Sequence, residues 1–247
     1  MKQLKMLLLA AVSALLMLFV VFVPMRASAA TIENGKSVKL LAEGKQFYKF
    51  TLDDDSVLQV SWSKNNNNLA YAVIWTDKNR TNSVYGFSPS TASGKEYICL
   101  KKGTYYVDMC DGNSSKKPQA TMKFTWESGS NYSRGNYSME TAYDLKSGTL
   151  EQVAQIRKYS YIRWYKVKLT KTQTLTLQIP YGDPYEFSVL STKEGWISMN
   201  TSNYNSDNKT ISSYSKLPAG TYYIMLFDYS MYYGYSTVGQ YYAFKWK

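Results

Sequence analysis

Apolar and polar residues alternate along most of the chain that follows residue 30. The segments 58–62 (LQVSW) and 175–179 (LTLQI) both read apolar, polar, apolar, polar, apolar. A period of two places successive side chains on opposite faces of a strand, so that one face can be buried. No segment keeps an apolar period of 3.6 residues for long. The pattern therefore predicts short β-strands, each with one face in a core.

Four blocks of this pattern occur twice, in one order and at nearly one spacing. The segment 47–52 (FYKFTL) matches 164–169 (WYKVKL), and 100–107 (LKKGTYYV) matches 217–224 (LPAGTYYI), both at an offset of 117 residues. A third pair shares this offset and the closing pair is offset by 120: 57–60 with 174–177, and 122–126 with 242–246. A repeat at fixed spacing indicates duplication of a structural unit.

Several short strands in each copy, with turn residues between them, are typical of an antiparallel sandwich or jelly roll. Residues 127–138 (ESGSNYSRGNYS) lack periodicity and are rich in Ser, Gly and Asn, as linkers are. We therefore predict an all-β protein with two tandem antiparallel β-sandwich domains that resemble jelly rolls. The first half would cover residues 30–128 and the second half residues 129–247.

Residues 1–29 have the features of a secretory signal peptide. Two lysines precede an apolar run, residues 6–23, and the small residues 27–30 (ASAA) follow it. The 18 residues of that run could instead span a bilayer as a helix that rises about 1.5 Å per residue. The small-residue site favours cleavage after Ala29. We expect a secreted, extracellular protein with no membrane attachment once this leader is removed.

Cleavage there changes the charge of the protein. The full chain has 29 Lys and Arg against 18 acidic residues, a net charge of +11, and the leader takes Lys2, Lys5 and Arg26 with it, which leaves +8. A basic surface favours acidic partners such as anionic wall polymers, acidic glycans or nucleic acid. The lysines are scattered, however, with no run longer than two. This distribution favours ordinary solvated faces, and we do not expect nucleic acid to be the partner.

Several segments of the second half carry a resemblance to a known family: 136–145 (NYSMETAYDL), Gly148, Trp164-Tyr165-Lys166, 217–224 and 242–244 (YAF). They resemble the bacterial pre-peptidase C-terminal domain family, and the first half resembles it more weakly, through 47–50 and 100–107. The resemblance implies a compact β-sandwich that is appended to, or secreted beside, extracellular enzymes. It also implies relatives that bind collagen or other polymers, and some that bind calcium. The shared residues specify a fold better than a ligand.

The sequence departs from that family where a calcium site would be expected. Family members commonly place Asp before the Trp-Tyr pair, whereas residues 161–163 are Tyr-Ile-Arg in this chain. The acidic cluster Asp53-Asp54-Asp55 could offer two carboxylate ligands to a hard cation. Its counterparts, residues 170–172 (TKT), have the character of a polar turn, which favours a solvated turn at both places. We predict no metal site and no cofactor.

The chain has no histidine, which excludes Ser-His-Asp and Cys-His arrangements and zinc sites that need His ligands. A glycosidase needs only two carboxylates, and Asp183, Glu186 and Glu194 lie in one short stretch. The matching region of the first half offers only Asp77, and acids in loops are normally solvated. We therefore predict that the protein is not an enzyme.

The two cysteines, Cys99 and Cys110, are too few for a zinc site made of cysteines alone. A disulfide is the usual expectation in an exported chain. In a simple hairpin about Gly103 the two residues would be out of register by three positions, roughly 10 Å. A disulfide bridges Cα atoms about 4.4 to 6.8 Å apart. The sequence leaves the bond open.

Tyrosine is the most informative residue type, with 24 in all and a dense run from residue 222 to residue 242. If Tyr222, Ile224 and Leu226 face a core, then the residues between them lie on the opposite face of the strand. We predict that ligand-binding residues lie on this face and in the loop that follows it: Tyr223, Phe227, Tyr229, Tyr232, Tyr233 and Tyr235. Exposed aromatic clusters suit stacking on sugars, bases or peptides. The alternative is that this face packs on the first half.

Two classes of function follow from these observations. The first is a non-catalytic extracellular binding module for a glycan, a cell-wall polymer or a matrix protein. The second is an accessory or structural protein that docks on another exported protein, such as a protease. Sugar binding should leave aromatic residues exposed in a groove, whereas a protein partner should leave a flat apolar patch. The oligomeric state is not encoded in any feature of the sequence.

Overall fold

The computed structural model describes ten ranges of the chain: 29–39, 46–63, 70–88, 91–111, 121–132, 134–156, 161–202, 204–205, 207–233 and 239–247. The predicted leader lies outside these ranges apart from Ala29. Residues Thr31–Lys247 form one compact unit. Among the described residues, no helix has the length and apolar character needed to cross a membrane.

The strands of the first half form two sheets, because each strand has one apolar face that must be covered. They are β1 (Ala30–Thr31), β2 (Ser37–Lys39), β3 (Gln46–Leu52), β4 (Ser56–Ser63), β5 (Ala70–Trp75), β6 (Ser83–Phe87), β7 (Ser93–Leu100), β8 (Gly103–Asp111) and β9 (Thr121–Ser128). One sheet has the order β1-β3-β8-β5-β6 and the other β2-β9-β4-β7.

The strands of the second half also form two sheets. They are β10 (Tyr143–Asp144), β11 (Glu151–Gln155), β12 (Ile162–Leu169), β13 (Thr176–Tyr181), β14 (Phe187–Ser191), β15 (Gly195–Ile197), β16 (Met199–Asn200), β17 (Thr210–Ser213), β18 (Gly220–Phe227) and β19 (Gln240–Trp246). The orders are β10-β12-β18-β14-β15 and β11-β19-β13-β17-β16. The structure is therefore almost entirely β, as the period of two predicts.

The two halves have equivalent sheets. The order β3-β8-β5-β6 corresponds to β12-β18-β14-β15, and β2-β9-β4-β7 corresponds to β11-β19-β13-β17. The register agrees as well, since Leu52 pairs with Gly103 and Leu169 pairs with Gly220. Strands β10 and β12 form a parallel pair, which the sequence pattern did not predict.

Each half buries its own core between its two sheets. In β18 the side chains of Tyr222, Ile224 and Leu226 are buried, with exposures of 3%, 0% and 0%, as the alternation predicts. In β8 the corresponding Tyr105, Val107 and Met109 are buried too. Burying one such side chain removes its apolar surface from water, which contributes about 1.5 to 3 kcal/mol to the free energy of unfolding. Because the inner faces are filled, the alternate residues of both strands must point outward.

A third, smaller cluster joins the two halves: Val57, Cys99, Ala154, Ile156, Tyr241 and Ala243. At its edge Gly239 donates its N–H to the carbonyl oxygen of Cys99 at 3.0 Å, and the two residues form an isolated antiparallel bridge. The Cys99 thiol is free and buried, so it takes no part in the disulfide that the sequence left open. Burial raises the pKa of this thiol, which makes it a poor nucleophile.

The segment predicted as a linker is partly built into the fold. Strand β9 extends through Ser128, and a 3₁₀ turn, Gly129–Tyr132, follows it. Gly129 is buried and donates its N–H to the Asp55 carbonyl oxygen at 2.6 Å. A Cβ atom at this position would lie 2.5 Å from Ile156 Cδ1. The Ser, Gly and Asn composition therefore reflects close packing at Gly129 as well as turn formation.

We expect Gly239→Ala to destabilise the protein by about 1 to 3 kcal/mol, the usual cost of inserting a methyl group into a packed site. The new Cβ would lie directly against the Gln155 carbonyl oxygen and 2.7 Å from Ile156 Cα, and neither backbone atom can rotate away. Gly220→Ala is the matched control, because its nearest neighbour would be Tyr222 Cε2 at 3.7 Å. Thermal unfolding of both variants measures the difference, and equal melting temperatures would contradict the expectation.

Candidate functional site

The outer face of the sheet β10-β12-β18-β14-β15 is lined with aromatic side chains. In the pairing of β12 with β18, Trp164 lies beside Met225. In the neighbouring row, four residues align across β12, β18, β14 and β15: Lys166, Tyr223, Leu190 and Trp196. Tyr223 and Phe227 are half-buried on this face, as the sequence pattern predicts. We call this surface, together with the helical turn described below, the aromatic face.

Two tryptophans of this face were not among the predicted site residues. Trp164 and Trp196 lie with ring centroids 6.5 Å apart, and the Trp196 side chain is 59% exposed. Trp164 alternates with the fully buried Tyr165, so strand alternation could have placed it outside. Trp196 follows a turn at Gly195 on an edge strand, and no period in so short a segment indicates which way it points.

The helical turn Tyr229–Tyr232 extends the face beyond the end of β18. The Phe227 ring lies 4.5 Å from that of Tyr229 and 5.2 Å from that of Tyr232, and the Tyr233 ring lies 4.9 Å from Tyr232. Tyr229, Tyr232 and Tyr233 are 48%, 50% and 58% exposed. Tyr161 closes the cluster with its ring 5.1 Å from Tyr232. The structure therefore brings together four of the six predicted residues, Phe227, Tyr229, Tyr232 and Tyr233. Tyr223 lies on the same face of β18, four positions before Phe227, and Tyr235 lies outside the described residues.

Tyrosines outside the aromatic face pack on the first half. This packing is the alternative that the sequence offered for the tyrosine run. Tyr241 stacks on Tyr97 of the first half with ring centroids 4.4 Å apart, and Tyr181 meets Tyr97 edge-on at 4.8 Å. Tyr241 is only 7% exposed as a result. The dense run from residue 222 to residue 242 thus contains both a surface cluster and a junction residue, which the sequence alone does not separate.

A buried polar network supports the helical turn from below. The Tyr242 hydroxyl donates to Glu186 Oε2 at 2.7 Å, and the Glu186 carboxyl group also accepts the backbone N–H of Tyr229. Asp228 is fully buried, and its backbone N–H donates to the Tyr161 carbonyl oxygen at 2.9 Å. Burial raises the pKa of Glu186 to about 7, against hydrogen bonds that lower it, and the nearby Asp228 charge raises it further.

On the equivalent face of the first half, an arginine lies over one of the aromatic rings. Phe47 and Asp108 occupy the positions of Trp164 and Met225. The Arg80 guanidinium lies 4.6 Å from the centroid of the Phe47 ring, and Arg80 Nε lies 3.0 Å from Asp108 Oδ2. Arg80 therefore lies over the ring that would otherwise offer its face to a ligand.

The turn that carries Arg80 is held by one carboxylate. Asp77 accepts the backbone N–H groups of Asn79, Thr81 and Asn82 at 2.8 to 3.1 Å. Arg80 itself adopts a φ of 62°, which residues other than glycine rarely take. The polar contacts of Asp77 therefore keep the turn in the conformation that places Arg80 over Phe47.

The candidate acids do not form a catalytic pair on the aromatic face. Glu186 is 5% exposed and lies beneath Tyr242, where a substrate does not reach it. Asp183 caps the 3₁₀ turn Pro184–Glu186, and Glu194 lies in the exposed connection between β14 and β15. In the part of the chain that is described, no group of three His, Cys, Asp or Glu side chains could hold a metal ion.

Lysines border the aromatic face. Lys166 Nζ lies 3.1 Å from Asp144 Oδ1, and this pair is largely solvated. Lys168, at the next outward position of β12, is exposed, as is Lys193 in the turn after β14. Ion pairs in such positions contribute little to stability, so these charges remain available to a ligand.

Comparison with models of known families gave no match to the sequence, and comparison with curated proteins gave none either. Among solved structures, the chain is similar to the pre-peptidase C-terminal domain of a collagenase from Bacillus anthracis. The two are 14% identical with a TM-score of 0.34, and the match covers 40% of this chain and 95% of that one.

Two further solved structures match over more of the chain. The PBSX exported protein XepA is 11% identical with a TM-score of 0.31, over 78% of this chain and 87% of that one. The second structure contains the tandem CBM51 modules of the family 98 glycoside hydrolase of Streptococcus pneumoniae SP3-BS71. It is 11% identical with a TM-score of 0.27, and the match covers 85% of this chain and 83% of that one. Likeness at this level concerns the β-sandwich architecture alone and assigns no ligand.

The buried Glu186 makes the stability of the protein depend on pH. Between the unfolded pKa of 4.5 and the folded pKa of about 7, the folded protein holds a proton that the unfolded chain releases. The free energy of unfolding should therefore fall as the pH rises through this window, by at most about 3 kcal/mol. Glu186→Gln keeps the acceptor for Tyr242 and cannot ionise, so it should remove this dependence.

Melting temperatures of the parent protein and of Glu186→Gln at pH 5 and pH 8 measure the effect. The variant should gain most over the parent at pH 8. A parent protein whose stability relative to Glu186→Gln is the same at pH 5 and pH 8 would contradict the expectation.

Proposed function

We propose that the protein is a non-catalytic binding module for an extracellular polysaccharide, and that the aromatic face of the second half is the binding surface. The observation that carries the proposal is the open cluster of Phe227, Tyr229, Tyr232 and Tyr233 at the end of β18. Rings with exposed faces and polar tips stack on the apolar faces of sugars and bond with sugar hydroxyls.

The distribution of exposed apolar residues supports the choice of the second half. Among the described residues, all the large apolar side chains that are most exposed lie in the second half: Tyr137, Tyr143, Leu150, Tyr185, Trp196, Tyr214, Tyr229, Tyr232 and Tyr233. Eight of these nine are aromatic. Exposed aromatic rings of this kind suit stacking on the apolar faces of sugar rings.

The rigidity of the surface also supports binding. Tyr223 and Phe227 belong to a strand whose alternate residues are fully packed, and the Tyr229 N–H is fixed by Glu186. Side chains on such a scaffold lose little further conformational freedom when a ligand binds. The lysines at the border, Lys166, Lys168 and Lys193, would add attraction for acidic groups on the polymer.

The proposal also includes export of the protein by its leader and its division into two domains. The leader would export the protein, and the polysaccharide would belong to a cell wall or to another extracellular matrix. The equivalent strand orders support a division into two domains, with the boundary between residues 128 and 129. In this view the second domain retains an open face, whereas Arg80 covers the face of the first.

We expect Tyr232→Ala combined with Tyr233→Ala to weaken polysaccharide binding by about 1 to 3 kcal/mol, the scale of lost aromatic stacking. The melting temperature should change little, because both side chains are at least half exposed. Co-sedimentation with insoluble cellulose, chitin and purified cell walls measures binding, and calorimetry measures stability.

Tyr214→Ala is the matched control, since Tyr214 is 71% exposed but follows β17 of the opposite sheet. A parent protein that sediments with none of these polymers would argue for the accessory role on an exported protein. A double variant that loses stability and keeps its binding would show instead that the two tyrosines hold the fold together.

We also expect no hydrolytic turnover. The mature protein should release no reducing sugar from a panel of polysaccharides, and no new amino groups from protein substrates, because the chain has no histidine and Glu186, the acid whose pKa is raised to about 7, is buried beneath Tyr242. Activity that is lost in Asp183→Asn or Glu194→Gln would overturn this expectation.

A further inference from the structure

A second concave site lies where the two halves meet, and it shares no residue with the aromatic face. This cleft has a volume of about 300 Å³. Its first-half wall comes from β6 and β7, and its second-half wall comes from the end of β13, the turn after it, and the start of β19. The volume is at the small end of the range for ligand sites, roughly 300 to 1,000 Å³.

Four tyrosines line the cleft: Tyr85 and Tyr97 from the first half, Tyr181 and Tyr241 from the second. Tyr97 and Tyr241 stack at 4.4 Å, and the Tyr181 ring stands at 76° to the Tyr97 ring. The rings therefore fix one another's orientation across the junction. Their edges, faces and hydroxyl groups together form a surface that is apolar in parts and polar at its tips.

One carboxylate from each half faces this cleft. Glu96 Oε1 accepts the Tyr85 hydroxyl at 2.9 Å, and Asp183 Oδ1 accepts the backbone N–H of Tyr185 at 2.9 Å. Each carboxylate is thus held in place through one oxygen, and its second oxygen can accept a hydroxyl from a ligand. The two carboxylates together can therefore accept two hydroxyl groups of one saccharide.

Two glycines allow the backbone to reach the cleft. Gly182 has a φ of 117°, and a Cβ atom there would lie 2.5 Å from Tyr242 Cδ1. Gly239 lies against the backbone of Gln155, as described above. Both positions require a residue without a side chain, so the shape of the cleft depends on the glycine that follows β13 and the glycine that precedes β19.

Charge indicates what kind of ligand fits. The Lys95 ammonium lies 5.5 Å from the centroid of the Tyr97 ring and 5.8 Å from that of Tyr181, and this one cation is outnumbered by the two carboxylates of the cleft. Glu96 and Asp183 then face the ligand with negative charge. An anionic ligand would be repelled, whereas hydroxyl groups of an uncharged sugar would donate to both carboxylates.

We propose that the cleft binds a short stretch of neutral saccharide, with the sugar hydroxyls donating to Glu96 and Asp183 and the ring lying against Tyr181. Because residues of both halves contact the ligand, binding would require the halves to stay docked. This site goes beyond the proposed function, since it does not depend on the aromatic face.

The test is a nuclear magnetic resonance titration of the isotopically labelled mature protein with cellobiose, maltose and chitobiose, and with a hexuronate disaccharide as the charged comparison. We expect saturable shifts at Tyr97, Tyr181 and Gln240 with at least one neutral sugar and none with the hexuronate. Asp183→Asn and Glu96→Gln should each weaken binding about tenfold, the factor expected when a hydrogen bond to a charged group is lost.

Both variants are designed to keep the fold, because Asn also caps helical turns and Gln still accepts the Tyr85 hydroxyl. Asp53→Asn is the control, an exposed acid in the turn between β3 and β4. The absence of saturable shifts with every neutral sugar, or shifts that both cleft variants leave unchanged, would overturn the proposal.

The same variants separate this inference from the proposed function. Loss of polymer co-sedimentation in the tyrosine double variant, with normal cleft shifts, would place polymer binding on the aromatic face alone. Normal co-sedimentation without cleft shifts would reject the cleft and leave the proposed function standing.

Discussion

The central strand β18 is the constraint on which the rest of the second half depends. It pairs with β12 on one side and β14 on the other, so its backbone hydrogen bonds are satisfied along nearly its whole length. Its inward side chains, Tyr222, Ile224 and Leu226, are buried almost completely. A shift of one residue in register would bring Tyr223 and Met225 into the core and expel these three. The positions of the outward residues therefore follow from the packing of the inward ones.

The junction between the halves imposes a second constraint. The bridge between Gly239 and Cys99 places the start of β19 beside β7, and the stacking of Tyr241 on Tyr97 follows from that placement. The same short segment closes one wall of the cleft. A change that stabilises or loosens this junction therefore acts on the cleft directly, whereas the aromatic face is built by other strands of the second half.

Alternation along the chain was sufficient to predict strand type, the buried faces of β8 and β18, and the outward position of Tyr223 and Phe227. These properties depend on neighbouring residues, and a period of two records them directly. Three features depend on residues that lie far apart in sequence: the contact of Trp196 with Trp164, the position of Arg80 over Phe47, and the shape of the cleft. Gly239 and Cys99, for example, are 140 positions apart. No local pattern records which distant backbone atom a glycine must accommodate, so these features could be found only in the structure.

The difference between the two outer faces follows from one position in the repeat. Where the second half has Met225, the first half has Asp108, which is 5% exposed and forms an ion pair with Arg80. A carboxylate at this position needs a charged or hydrogen-bonding partner, because removing it from water without one would be costly. Arg80 meets that need, and its guanidinium then covers Phe47. Met225 has no such requirement, so the equivalent Trp164 keeps its place beside Trp196. The acid in the central strand of the first half is thus accompanied by an arginine over Phe47, whereas the apolar Met225 of the second half is accompanied by Trp164 beside Trp196.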